Sequence, residues 1–177
     1  DAYGELDAGQ ENHVLNIGLD DESGGYLMTK YLLECGYEHI QVCAGRDNGV
    51  DHFRYMGAQR AAKEFAGKKQ KVQFTALGMN YAKRKESYAW LIQRKKPKTA
   101  LFFLSDLYAL EAISFFSSRG VKIPEEIGIA GYDNISYAEF SVPRLTTISQ
   151  NVEQKASLAV EILMERINGV EKERENE

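Results

Sequence analysis

The sequence predicts an α/β protein, a parallel sheet with helices on both faces, and three observations predict it. Short apolar runs alternate along the chain with stretches whose apolar residues recur at helical spacing. Glycines and prolines (Gly36, Gly67, Pro97, Gly120, Pro124, Gly169) punctuate these segments one by one. One run, 99–104 (Thr-Ala-Leu-Phe-Phe-Leu), is almost wholly apolar, as a strand covered on both faces must be.

Taken in order, residues 14–19 read as a strand. A helix follows over 22–35, with Leu27, Met28, Tyr31, Leu32 and Cys35 on one face and Gly36 as its stop. Residues 39–44 form a second strand, and after a loop at 45–50 Asp51 is placed to cap a helix carrying Ala58, Ala61, Ala62 and Phe65, ended by Gly67. Residues 71–77 alternate polar and apolar, as an exposed edge strand does, before a helix at 84–94 with Tyr88, Leu91 and Ile92 on one side. After the central strand 99–104, Ser105 or Asp106 caps a helix in which Leu107, Leu110, Ile113 and Phe116 recur. Residues 127–131 are another buried strand, 132–144 a long loop and 145–148 a short strand. A last helix spans 152–167 with Ala156, Ala159, Val160, Leu163 and Ile167 inward, and the charged tail 171–177 frays.

With 177 residues, 44% of them hydrophobic and 27% charged, the chain can build one globular core or two small lobes. A formal net charge of −4 argues against these residues gripping nucleic acid themselves, so any DNA-reading part is expected elsewhere. Cys35 and Cys43 lack metal-site or redox spacing and read as reduced, buried thiols. No apolar run reaches membrane-spanning length and no leader-like start is seen, so the default location is cytoplasmic with no membrane partner.

In open parallel sheets ligands bind beyond the carboxyl ends of the strands. Arg54, Ser105 with Asp106, and Asp133 each follow a predicted strand and so reach one rim. A guanidinium, a hydroxyl and a carboxylate suit a polyol, whose hydroxyls donate and accept at once, and Tyr81 could cover an apolar sugar face. Taken singly, Asp106 reads more simply as a helix cap and Arg54 as a solvated cation in a first turn. No dinucleotide or phosphate loop is present, because the runs at 45–49 and 67–69 lack the required glycine spacing and hydroxyl. His13, His39 and His52 have no serine or cysteine elbow to serve, so no enzyme is expected, and neither a cofactor nor a metal ion.

Three segments carry a specific resemblance. They are Asp20-Asp21-Glu22-Ser23-Gly24-Gly25 followed by 31–40 (Tyr-Leu-Leu-Glu-Cys-Gly-Tyr-Glu-His-Ile), then Arg54-Tyr55-Met56-Gly57, and then a long third set. That set comprises Thr99-Ala100-Leu101-Phe102, Ser105-Asp106, Gly120, Ile123-Pro124-Glu125, Ile129-Ala130-Gly131-Tyr132-Asp133-Asn134 and 143–150 (Pro-Arg-Leu-Thr-Thr-Ile-Ser-Gln). In order and spacing these resemble the lactose-repressor/galactose-repressor family over about residues 14–169.

The resemblance implies a periplasmic-binding-protein-like fold of two lobes closing on a small effector, a sugar or sugar phosphate. By it, residues 37–149 are a C-terminal lobe complete apart from its last strand. Residues 1–36 and 150–177 are parts of an N-terminal lobe, and the helix-turn-helix headpiece that reads operator DNA is absent from this chain. By motif position, Arg54 and Asp133 match the family's main ligand contacts, Ser105 a common polar one and Tyr81 a stacking aromatic, with Ser23 and Gln150 on the other rim. The family homodimerises, which implies an interface at Leu107, Tyr108 and Leu110 with the 136–142 loop, Phe140 included. For Leu107 and Leu110 plain core packing stays equally open. A secreted sugar-binding protein of a transport system is the rival reading, because it shares the fold.

Overall fold

The computed structural model describes residues 20–47, 49–65 and 70–170. Its elements are α1 (Asp21–Glu34), β1 (His39–Ala44), α2 (Gly49–Glu64), β2 (Lys71–Ala76), α3 (Tyr81–Arg94), β3 (Thr99–Phe103), α4 (Asp106–Ser117), β4 (Gly128–Asp133), α5 (Ser136–Phe140), β5 (Thr146–Ser149) and α6 (Val152–Ile167). The strands make one sheet in the order β2-β1-β3-β4-β5, and every neighbouring pair is parallel. This is the predicted fold class. The expected strand at 14–19, the stop at Gly67 and the tail 171–177 lie outside the described residues.

Strand β3 shows why an unbroken apolar run belongs at the centre of such a sheet. Its side chains alternate between two cores, both fully covered: Leu101 and Phe103 pack with Tyr88, Leu91, Ala112 and Phe116, while Ala100 and Phe102 pack with Met28, Leu32, Val42 and Ala58. Helices α3 and α4 thus line one face, and α1 and α2 the other. The alternating β2 is an edge strand, as its mixed pattern predicts. In the long loop after β4 the chain makes a short helix, α5, rather than irregular coil.

Several expectations need correction. Helix α1 buries Gly24, Gly25, Met28, Thr29, Leu32 and Leu33, whereas Leu27 and Tyr31 are exposed. Its inner stripe is made partly of small residues, so a reading of large apolar side chains alone rotates the helix by about one position. Helix α1 also packs with β1 and α2, and Asp21–Ser149 form one compact unit. Finally, Asp51 lies within the first turn of α2, which begins at Gly49, and does not cap it, and Cys35 is exposed rather than buried. A separate unit, described over residues 150–170, contains α6 with the predicted bounds, but Val160, Leu163 and Ile167 are exposed there.

Candidate ligand-binding rim

The chain leaves β1 toward one edge and reaches β3 on its other side, so the topological switch point lies between the carboxyl ends of β1 and β3. Helix α2 begins just past β1, and it crosses α1 with almost no side-chain spacer. A methyl group on Gly25 would overlap the backbone carbonyl of Arg54, and one on Gly57 would overlap that of Glu22. Glycine at both positions lets the backbones touch and sets where Arg54 can reach.

Arg54 is buried, with 5% of its surface exposed. Its Nε donates to Asp21 Oδ1 at 2.8 Å and its Nη1 donates to the Leu104 carbonyl, just past β3, at 2.9 Å. The guanidinium lies 3.8 Å from the centroid of the Tyr132 ring. Tyr132 donates in turn to Asp21 Oδ1 at 3.4 Å, and burial pushes its phenol up to about 12, so it remains a donor. The expectation of a solvated arginine is therefore overturned: the cation is built into the crossing of α1, α2 and the sheet.

Next to it, Ser105 occupies the cap position of α4 but makes no capping bond, and its hydroxyl donates instead to Asp133 Oδ2 at 3.1 Å. Asp133 ends β4 with φ 119°, and Asn134 follows at φ 54°. Such backbone is held only where surrounding bonds over-determine it. Asp106 supplies those bonds. Its Oδ1 accepts from the Thr147 hydroxyl at 2.6 Å, its Oδ2 accepts from the Ile135 amide at 2.9 Å, and the Asn134 amide donates to the same Thr147 oxygen at 3.2 Å. Asp106 is fully buried and burial pushes its carboxyl up, against the hydrogen bonds it accepts. It is an anchor for the 133–147 connection and not the helix cap that local statistics suggest.

Arg54, Ser105 and Asp133 are thus brought to one rim, since Leu104, which accepts from Arg54, adjoins Ser105, which bonds Asp133. Tyr81 opens α3, exposed, with the Lys85 ammonium 4.9 Å from its ring centroid. Among the described residues it shares no hydrogen bond or ring contact with that set. Ser23 lies half-buried in the first turn of α1, and Gln150 belongs to the other unit. Leu107 and Phe140 are exposed, while Tyr108 and Leu110 are half-buried against the α3–α4 core.

Sequence reasoning missed Asp21 and Asp51 as members of the rim. Asp51 Oδ1 lies 3.8 Å from Arg54 Nη1. Burial above all, opposed by Arg54 and reinforced by Asp133, Asp21 and Asp47, pushes its carboxyl up to about 6. Among the described residues no group of three histidine, cysteine or acidic side chains could hold a metal ion, and no helix is long and apolar enough to cross a membrane.

A doubly wound parallel sheet with polar side chains gathered at its switch point is the architecture of a small-ligand-binding domain. The comparisons agree. Residues 29–177 match the periplasmic binding protein-like domain family. The chain is 36% identical over 155 residues to the HTH-type transcriptional repressor PurR of Haemophilus influenzae, spanning 84% of this chain and 45% of that protein. It is 37% identical over 159 residues to PurR of Aliivibrio fischeri, spanning 88% and 47%. Among solved structures it resembles a periplasmic binding protein/LacI transcriptional regulator from Alkaliphilus metalliredigens complexed with D-xylulofuranose, with TM-score 0.77 and 27% identity over 92% of this chain and 60% of that one. It also resembles a LacI family regulator from Enterococcus faecium with bound ribose, with TM-score 0.74 and 28% identity over 87% and 57%. The chain belongs to the periplasmic binding protein-like family, in its lactose-repressor/galactose-repressor branch. It spans about half the length of the curated relatives it matches.

Proposed function

We propose that the chain is the effector-binding core of a bacterial transcription repressor, that its effector is a small polyol of the sugar or sugar-phosphate class, and that it works without catalysis in the cytoplasm. One observation carries the reading: Arg54, Ser105 and Asp133 arrive from three strand ends at the switch point, with a hydroxyl already bonded to a carboxylate there. Such a pair both donates and accepts, as neighbouring sugar hydroxyls require. The ligands bound in two structural relatives, a xylulofuranose and a ribose, point to the same class.

In this reading a headpiece outside these residues reads operator DNA, and two copies pair through α4, α5 and the residues just after α5, where Leu107, Tyr137, Phe140 and Val142 are exposed. Effector and operator affinities are then reciprocally linked. The test is a thermal-shift screen of the full-length protein against sugars, sugar phosphates and nucleobases. A sugar is expected to raise the melting midpoint. A response to nucleobases alone would overturn the effector class.

A further inference from the structure

Three helices begin at this rim, α1, α2 and α4, and a helix N-terminus in a doubly wound fold is the usual seat of a phosphate or other anion. Here each carries a carboxylate in its own first turn: Asp21 on α1, Asp51 on α2 and Asp106 on α4. The positive end of each helix dipole is met from within the chain. A second observation is independent of these acids. Part of the Arg54 guanidinium is already engaged by the fold, with Nε on Asp21, Nη1 on the Leu104 carbonyl and one face on Tyr132. The loop between β1 and α2 adds Arg46 and Asp47, adjacent residues of opposite charge, and Asp47 is held by His52 Nδ1 at 2.9 Å.

We infer that the effector is an uncharged polyol and that Asp51 is the residue that excludes its phosphate ester, an inference that rests on the effector reading above. Asp51 is the carboxylate of the three with the most access to a ligand: its side chain is 27% exposed, against 5% for Asp21, and Asp106 is fully buried behind the rim. A dianionic phosphate brought to the start of α2 meets that carboxylate and, beyond it, Asp133, while the Arg54 guanidinium already has Nε and Nη1 on Asp21 and the Leu104 carbonyl. A hydroxyl group in the same place donates to Asp51 and gains a bond.

Isothermal titration of the full-length protein tests this, using D-ribose, D-xylulose and D-glucose, each beside its 5- or 6-phosphate. A free sugar is expected to bind at least about tenfold more tightly than its ester, and Asp51→Asn, which keeps the shape and removes the charge, is expected to narrow that ratio by about tenfold. An ester that binds wild-type protein as tightly as its parent sugar overturns the inference, as does a ratio unchanged in folded Asp51→Asn protein. A test without a variant runs alongside: inorganic phosphate alone should leave the melting midpoint of the wild-type protein where it is, and a rise counts against us. Binding by neither sugars nor esters is a different result, which removes the effector reading and this inference with it.

Discussion

Asp21 and Arg54, 33 positions apart, form an ion pair at 2.8 Å across the crossing of α1 and α2, with side chains only 5% and 6% exposed. Removing one partner strands the other in the core. Arg54→Ala is therefore expected to cost about 3 to 5 kcal/mol of stability. Denaturant unfolding checks it, and the double variant Arg54→Met with Asp21→Asn should recover most of the loss. An Arg54→Ala protein as stable as wild type would show that the pair is not a strut of the fold.

Asp133 differs, because it stands half-exposed at the end of β4 with Ser105 as its hydroxyl partner. Asp133→Ala is expected to weaken effector binding tenfold or more, as loss of a charge-assisted bond of about 1.5 to 3 kcal/mol implies. Calorimetry on a confirmed effector reads this, and unchanged affinity would remove Asp133 from the site.

Asp106→Ala leaves the Thr147 hydroxyl and the Ile135 amide without their acceptor. Each such group costs about 1 to 3 kcal/mol when buried. The expected signature is local: amide hydrogen exchange should quicken around Asn134 and Ile135 and through α5, while β1 and β3 stay protected. Uniform acceleration across the sheet would instead point to a general loss of packing.

Asp51 gives the rim a pH dependence of known sign. Burial, foremost, pushes its carboxyl from 3.8 up to about 6, so between those values the folded chain holds a proton that the unfolded chain has released. Its contribution is favourable at the acid end and is lost as pH rises through about 6. Melting curves of wild-type and Asp51→Asn protein should therefore diverge from pH 4.5 to 7.5, the variant gaining. Parallel curves would show that Asp51 titrates normally.

Much of the fold was legible in local pattern. The apolar run at 99–104 reads as a central strand, and the bounds of β1 and α6 follow from where their apolar periodicity starts and stops. What escaped was whatever depended on distant partners or on the absence of a side chain. The buried stripe of α1 passes through Gly24, Gly25 and Thr29, which hydrophobicity does not register. Asp106 resembles a cap because its acceptor duty toward Thr147 lies 41 residues away. Asp21 and Asp51 look like ordinary acidic residues of a first turn until Arg54 is seen between them. Motif resemblance located Arg54 and Asp133 but not the difference between them, one fixed in the core and one facing solvent.

Because the two helix backbones touch at Gly25 and Gly57, the distance between α1 and α2 works as a gauge for the guanidinium tip. A single methyl group at either position would wedge the helices apart and carry Arg54 away from the end of β3 while leaving the other polar residues of the rim in place. Such a lesion would present itself as lost recognition in a protein whose recognition residues are all intact. Screens that score only direct contacts would pass over it, and the two smallest residues of the crossing would be counted as spacers when they are in effect part of the receptor.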